Sequence, residues 1–281
     1  EQKIVTDNIA CGFSFTRDPN GYAAIGPYGQ MIILSSSIKY FSKFTCLAIG
    51  EYDVDVTIDV RMNAMVIAVR VLMQTESLDF ELDPRGIIPE ALETKICAPY
   101  LMQTVFLAGH EYSHFLLGHV KESSKTECSC LDIKFKDNED PTKSYSYNVD
   151  QEQEFEADLE AMKIPMDDYE YSYYYNNVLM LFAGLTIYEA IKEYASPSIG
   201  YQDHPSAKAR YMRVLENARK PIDFDEKLYC ETLPERIDQI SKALVEVYSI
   251  NPDLFEVYGS LYLAPPNTEW RGKELIDRED Y

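Results

Sequence analysis

The sequence predicts a mainly α fold (α+β) with a small N-terminal β part. Apolar residues recur at helical spacing over most of the chain after about Tyr52, whereas residues 1–50 hold short apolar stretches separated by turn signals. The chain has 281 residues with 46% apolar content, enough to bury a sizeable core, and no repeat period appears in it.

Within residues 1–50, turns are marked by Asp18-Pro19-Asn20-Gly21, Gly26-Pro27 and Tyr28-Gly29, and Met31–Leu34 and Phe44–Ile49 read as strands. Val56, Val60, Met65 and Val69 then predict a long helix between Tyr52 and about Phe80, ending before Asp83-Pro84-Arg85-Gly86. Alternating Val and Asp over Asp53–Val60 leaves a strand open there. Pro89-Glu90 restarts a helix that Pro99 interrupts, and an apolar helix follows from about Tyr100 to Val120. Residues 121–150 lose periodicity and form a long polar connection, expected to be mobile, with a hairpin through Leu131–Phe135 and Ser144–Val149. Helices are expected again at Gln151–Lys163, at Asn177–Glu193 as the central one, and from Pro205 to about Ala218. Glu226–Val247 and a short piece near Leu254 complete the set. This divides the chain into an unassigned N-terminal α+β portion (1–90), a core (91–220) and a C-terminal helical portion packing on it (221–281).

Composition narrows the function. With 47 acidic and 26 basic residues the net charge is −21, which repels phosphate, and no run of Lys or Arg offsets it; this argues against sequence-independent binding to nucleic acid or anionic lipid, and no nucleic-acid partner is expected. The longest apolar runs, Ala64–Met73 and Val178–Ile187, are about half of the roughly 20 residues a membrane span needs, so no transmembrane segment is expected. The default location is the cytoplasm. Six cysteines (Cys11, Cys46, Cys97, Cys128, Cys130, Cys230) are too sparse for a disulfide framework and read as mostly buried thiols.

Three of the four histidines fall in one short window, His110-Glu111-Tyr112-Ser113-His114 and His119. His110-Glu111-x-x-His114 is the H-E-x-x-H pattern of zinc hydrolases. Residues four apart share a helix face, so both imidazoles can reach one zinc, and Glu111 can take a proton from water beside it. A metzincin would carry Gly at position 117 and His at 120, where this chain has Leu117 and Val120. The third ligand is then a carboxylate from another helix. Glu154-x-x-Ala157-Asp158 places two carboxylates on one face, one to bind metal and one to accept the free N–H of a ligating His. Glu152, Glu156 and Glu160 crowd the same helix; the Ala-Asp anchor favours Glu154. His119 lies on the far side of a continued helix and is expected to meet the last carbonyls.

H-E-x-x-H followed by E-x-x-A-D resembles the gluzincin metallopeptidases of the CAAX prenyl protease and HtpX type. Asp203-His204-Pro205-Ser206-Ala207-Lys208-Ala209-Arg210 is similar to a His-Pro…Arg segment downstream in that group. The likeness covers about 105–160 and 203–211. It implies a zincin-like helical metallopeptidase core, one Zn2+ per chain held by His110, His114 and Glu154, Glu111 as general base, and Asp158 behind a ligand. Members of that type are membrane-embedded; lacking a span, this chain looks more like soluble relatives such as the outer-membrane-assembly, phage-exclusion (Lit-type) or ImmA/IrrE-type peptidases. His204 can stabilise an oxyanion or bond locally, and Arg210 can pair with Asp158 or another acid, or support the oxyanion. The run Tyr169, Tyr171, Tyr173, Tyr174 and Tyr175 reads as a wet surface or a substrate groove. The expected function is zinc-dependent hydrolysis of a protein or peptide substrate; the alternative is a regulatory or binding protein that keeps zinc for folding or sensing. Residues 121–170 carry 15 acidic and 6 basic side chains, so basic or neutral peptides are favoured near the cleft.

Overall fold

A computed structural model describes residues 9–16, 19–26, 29–80, 88–120, 128–129, 149–164, 167–195 and 204–255. The N-terminal apolar runs form a sheet from β1 (Ala10–Ser14), β2 (Gly21–Gly26), β3 (Gly29–Ser35) and β4 (Cys128–Ser129), in the order β1-β3-β2-β4. β2 and β3 make an antiparallel hairpin from Gly21↔Leu34 to Gly26↔Gly29, and Gly29 takes the positive φ (111°) at its turn. β1 lies parallel to β3, while β4 pairs antiparallel with β2 through Tyr22↔Ser129 and Ala23↔Cys128. The expected strand at Met31–Leu34 is thus part of β3.

The rest is mainly α: α1 (Ser36–Ile49), α2 (Ile58–Leu72), α3 (Glu90–Leu116), α4 (Val149–Ala161), α5 (Asp168–Ala195), α6 (Ala207–Asn217) and α7 (Leu233–Ile250), with a π turn at Leu228–Thr232 and a 3₁₀ turn at Pro252–Phe255. Several predicted elements change. Phe44–Ile49 is helical, inside α1. That helix is buried on nearly every side, and a short all-apolar run cannot tell strand from helix. The helix expected over Tyr52–Phe80 is only α2. Thr57 caps its start by accepting from the Val60 amide, and Gln74 ends it in the left-handed conformation (φ 62°), with Thr75 N–H donating to Arg70 O at 2.9 Å. No strand forms over Asp53–Val60. Pro99 does not interrupt α3: it removes one bond from a 27-residue ladder, and the flanking turns are anchored by buried Ile96, Gln103 and Phe106. The predicted hairpin at 131–149 lies outside the described residues, except for Val149, which opens α4.

α5 runs through the middle, packing on α1, α3, α6 and α7. It starts nine residues earlier than expected because the tyrosines belong to it. Tyr171, Tyr174 and Tyr175 continue the i, i+3, i+4 pattern into Val178 and are buried, while Tyr169 is exposed. Their hydroxyls are satisfied internally: Tyr174 donates to Ala161 O at 3.0 Å and Tyr171 to Arg219 O at 2.7 Å, and Tyr175 accepts from Lys220 at 3.2 Å. These tyrosines are core residues, not a wet surface. α5 meets α1 at Gly184, where an added Cβ would stand 2.4 Å from Thr45 Cγ2. Buried Arg70 pairs with buried Glu76 and donates to Leu254 O at 2.6 Å, tying the 3₁₀ turn to α2. Cys11, Cys46, Cys97 and Cys230 are free thiols, and of these only Cys46 is fully buried; Cys11 and Cys230 are exposed, contrary to expectation. No helix among the described residues is long and apolar enough to cross a membrane.

Candidate metal centre

The site forms where α3 crosses α4. Small residues allow the close approach: Gly109 on α3 faces Ala161 and Ile164, and an added Cβ there would stand 2.6 Å from Ile164 Cδ1 and 3.7 Å from Ala161 Cβ. Ala157, fully buried, sits between Glu154 and Asp158. The last turns of α3 present His110, Glu111 and His114, all buried, and α4 presents buried Glu154 and Asp158 to meet them.

His110 Nε2 and His114 Nε2 stand 3.1 Å apart, Glu154 Oε2 lies 3.2 Å from His110 Nε2, and Glu154 Oε1 lies 3.4 Å from His114 Nε2. Donor atoms arranged tetrahedrally around zinc at bonds of roughly 2.0–2.1 Å are separated by about 3.3 Å. The three groups therefore have the spacing of ligands on one small cation, and among the described residues they are the His/Cys/Asp/Glu group close enough to hold one. Glu154 Oε2, though buried and also 3.3 Å from His204 Nδ1, makes a hydrogen bond of acceptable geometry to neither imidazole. An oxygen in that state fits a metal ligand better than a hydrogen-bond acceptor.

Behind this trio, His110 Nδ1 stands 2.9 Å from Asp158 Oδ1. Donation from Nδ1–H to the carboxylate leaves the Nε2 lone pair aimed at His114 and Glu154. Asp158 is itself gripped by Arg210 of α6, whose Nε donates to Oδ2 at 2.8 Å and Nη2 to Oδ1 at 2.6 Å. The guanidinium lies 5.1 Å over the Phe182 ring of α5. Of the roles left open for Arg210, the pairing with Asp158 is the one whose geometry is present. Ser206 caps α6 by accepting from the Ala209 amide, and the Glu189 carboxylate accepts from the Ala207 amide at 2.9 and 3.0 Å, so the helix bearing Arg210 is fixed at its start.

The electrostatics follow from burial. For His110, burial opposes the charged form, but Glu154 and Asp158 outweigh it and push the imidazole up to about 10. Burial also disfavours ionised Glu154, yet the imidazoles beside it, His110 first, hold its carboxyl well below the usual range. Asp158 is likewise kept low by Arg210 against the effect of burial. His114 is pushed down by burial. The cluster thus favours a positive charge at the point where the donors converge, and a metal cation meets that demand as a proton does.

Six of the seven predicted residues are buried together: His110, Glu111, His114, Glu154 and Asp158 at the helix crossing, and Arg210 against Asp158. His204 stands at the edge, 19% exposed, next to Glu154. The other glutamates of α4 point elsewhere: Glu152 to Arg213 at 3.0 Å, Glu160 to Lys163 at 2.6 Å and Glu156 to His119 at 3.3 Å. Sequence reasoning missed three supporting residues: Glu189, Phe182, and His119, which meets His114 rather than terminal carbonyls. No family model, curated protein or solved structure matches the chain.

Proposed function

We propose that the chain is a zinc-dependent metallopeptidase of the gluzincin type, hydrolysing peptide bonds in a protein or peptide substrate. One observation carries the reading: ligand atoms of His110, His114 and Glu154 lie within 4.8 Å of one another. On the same turn of α3 as His110 stands Glu111, buried. Zinc held there would supply Lewis acidity toward a peptide carbonyl and toward water. The side chains do the rest. Glu111 takes a proton from the attacking water and returns it to the leaving amine. Asp158, fixed by Arg210, keeps His110 in the tautomer that offers Nε2. His204, the most accessible imidazole of the site, meets substrate and stabilises negative charge developing on the scissile carbonyl. Acidic surroundings favour basic or neutral segments of the substrate.

The test is an unbiased cleavage-site screen of the wild-type chain against Glu111→Gln. The variant should keep one zinc per chain and lose cleavage; cleavage at the wild-type rate would rule the mechanism out. The near-complete burial of the donors also suits a second reading, a regulatory or binding protein whose zinc serves folding. Chelation separates them: loss of fold in a chain without hydrolytic activity supports the second, and loss of hydrolysis with fold retained supports the first.

A further inference from the structure

We propose that His119 and Glu156 form a second orienting arm of the metal centre, acting on His114 as Asp158 and Arg210 act on His110. The inference rests on the metal-centre reading above. It starts from the end of α3, where Gly118 adopts the left-handed conformation (φ 74°). Gly118 N–H donates to Phe115 O at 3.2 Å and His119 N–H to His114 O at 2.9 Å, the paired bonds that close a helix and turn the chain back. This reversal brings the residue after Gly118 over the turn that carries His114. A continued helix would have sent it to the opposite face.

The result is a direct contact between the two rings. His119 Nδ1 stands 3.0 Å from His114 Nδ1, and the imidazoles meet edge to face with centroids 5.1 Å apart. The His119 side chain is only 6% exposed, and its Nε2 lies 3.3 Å from Glu156 Oε2 on α4. Glu156 is 62% exposed, so the arm ends at the surface, whereas the His110 arm ends at the buried Arg210.

The protons in this chain follow from the His114–His119 contact. A His114 that gives Nε2 to a metal must carry its hydrogen on Nδ1. That N–H needs an acceptor, and the atom facing it is His119 Nδ1. His119 must then carry its own hydrogen on Nε2, where Glu156 accepts it. The reverse tautomer of His114 would put a hydrogen into the space between His110 Nε2 and Glu154 and obstruct a cation there. His119 therefore selects the metal-binding tautomer of His114 and fixes the ring's orientation. With little water able to reach it, solvent cannot take over this role. His119 is a positioning residue; it touches neither substrate nor metal.

The experiment measures zinc affinity of the full chain by competition with a chromophoric chelator, and the visible spectrum of the Co2+-loaded chain. His119→Phe removes the acceptor and should weaken zinc binding about 10–100-fold. His119→Asn places an amide oxygen close to the position of Nδ1 and should hold affinity and Co2+ spectrum near wild type. His119→Gln, whose amide reaches past that position, should behave like His119→Phe and serves in its place if the Phe variant does not fold. Equal affinity in the Asn, Gln and Phe variants, whether at the wild-type value or uniformly reduced, would overturn the orienting role. A wild-type chain that binds no zinc would instead remove the metal-centre reading itself, and the orienting role with it.

Discussion

Replacing Arg210 with Met is the sharpest stability test of the site's inner architecture. Met keeps an unbranched side chain over the Phe182 ring but removes the guanidinium, and with it two charge-assisted hydrogen bonds of 2.8 and 2.6 Å to Asp158. Asp158 is fully buried, so its carboxylate would lose the guanidinium in a place water cannot reach and keep only His110 as partner. Breaking a buried pair in this way costs about 3–5 kcal/mol, a large part of the roughly 5–15 kcal/mol that holds a typical domain together. The loss should depend on pH. In the wild-type chain burial raises the Asp158 pKa, but Arg210 more than compensates and holds it below 3.8. Its stabilising contribution is present above that value and is lost as pH falls through the folded pKa. Without Arg210 only His110 opposes the effect of burial, the carboxyl binds a proton more readily, and acid relieves the defect. Urea unfolding of metal-free wild type and Arg210→Met should show the full gap at pH 8 and a smaller one at pH 5. Adding Asp158→Leu to Arg210→Met should recover part of the loss, because both charges are then gone. A loss below about 1 kcal/mol at pH 8, or a double variant that is simply additive, would refute the reasoning.

Two further substitutions probe the supports. Glu189 is raised to about 7, chiefly by burial, against the opposing effects of the Ala207 N–H, Arg210 and Lys192. Its folded pKa lies above its unfolded value, so the native state holds the proton more tightly and stability falls as pH rises through about 4.5–7. Glu189→Gln keeps an acceptor for Ala207 and should raise the Tm at pH 8 but not at pH 4, with a ceiling of about 3 kcal/mol; an unchanged difference between the two pH values would contradict this. Gly184→Ala should destabilise by about 1–3 kcal/mol in urea unfolding, since its Cβ would stand 2.4 Å from Thr45 Cγ2 and 3.2 Å from Phe41 Cζ, both in the buried α1–α5 contact. Equal or greater stability would mean that α1 can shift away from α5.

The cluster of His110, His114, Glu154 and Asp158 was legible because its logic is local. His110 and His114, and Glu154 and Asp158, are each four apart on a helix, and polar residues inside an apolar helix demand partners. That the two pairs meet depends on a helix crossing, which Gly109 and Ala157 hint at without specifying. His119 escaped because wheel geometry assumes a helix that continues, and Gly118 ends it. The tyrosines of α5 escaped for a different reason: their hydroxyls suggested water, whereas Tyr174 and Tyr171 find backbone carbonyls, a matter of tertiary packing. Phe44–Ile49 and Pro99 show the same limit. A short apolar run carries no period of its own, and a single missing N–H is overridden when the turns on both sides are buried.

Zinc titration of the metal-free chain, wild type beside Glu154→Gln, tests the central claim most directly. One site per chain is expected in the wild type and a large loss of affinity in the variant, because the Glu154 carboxylate is one of three converging groups that could hold a metal ion. Absence of zinc binding by the wild type, or unchanged affinity when Glu154 becomes Gln, would contradict it.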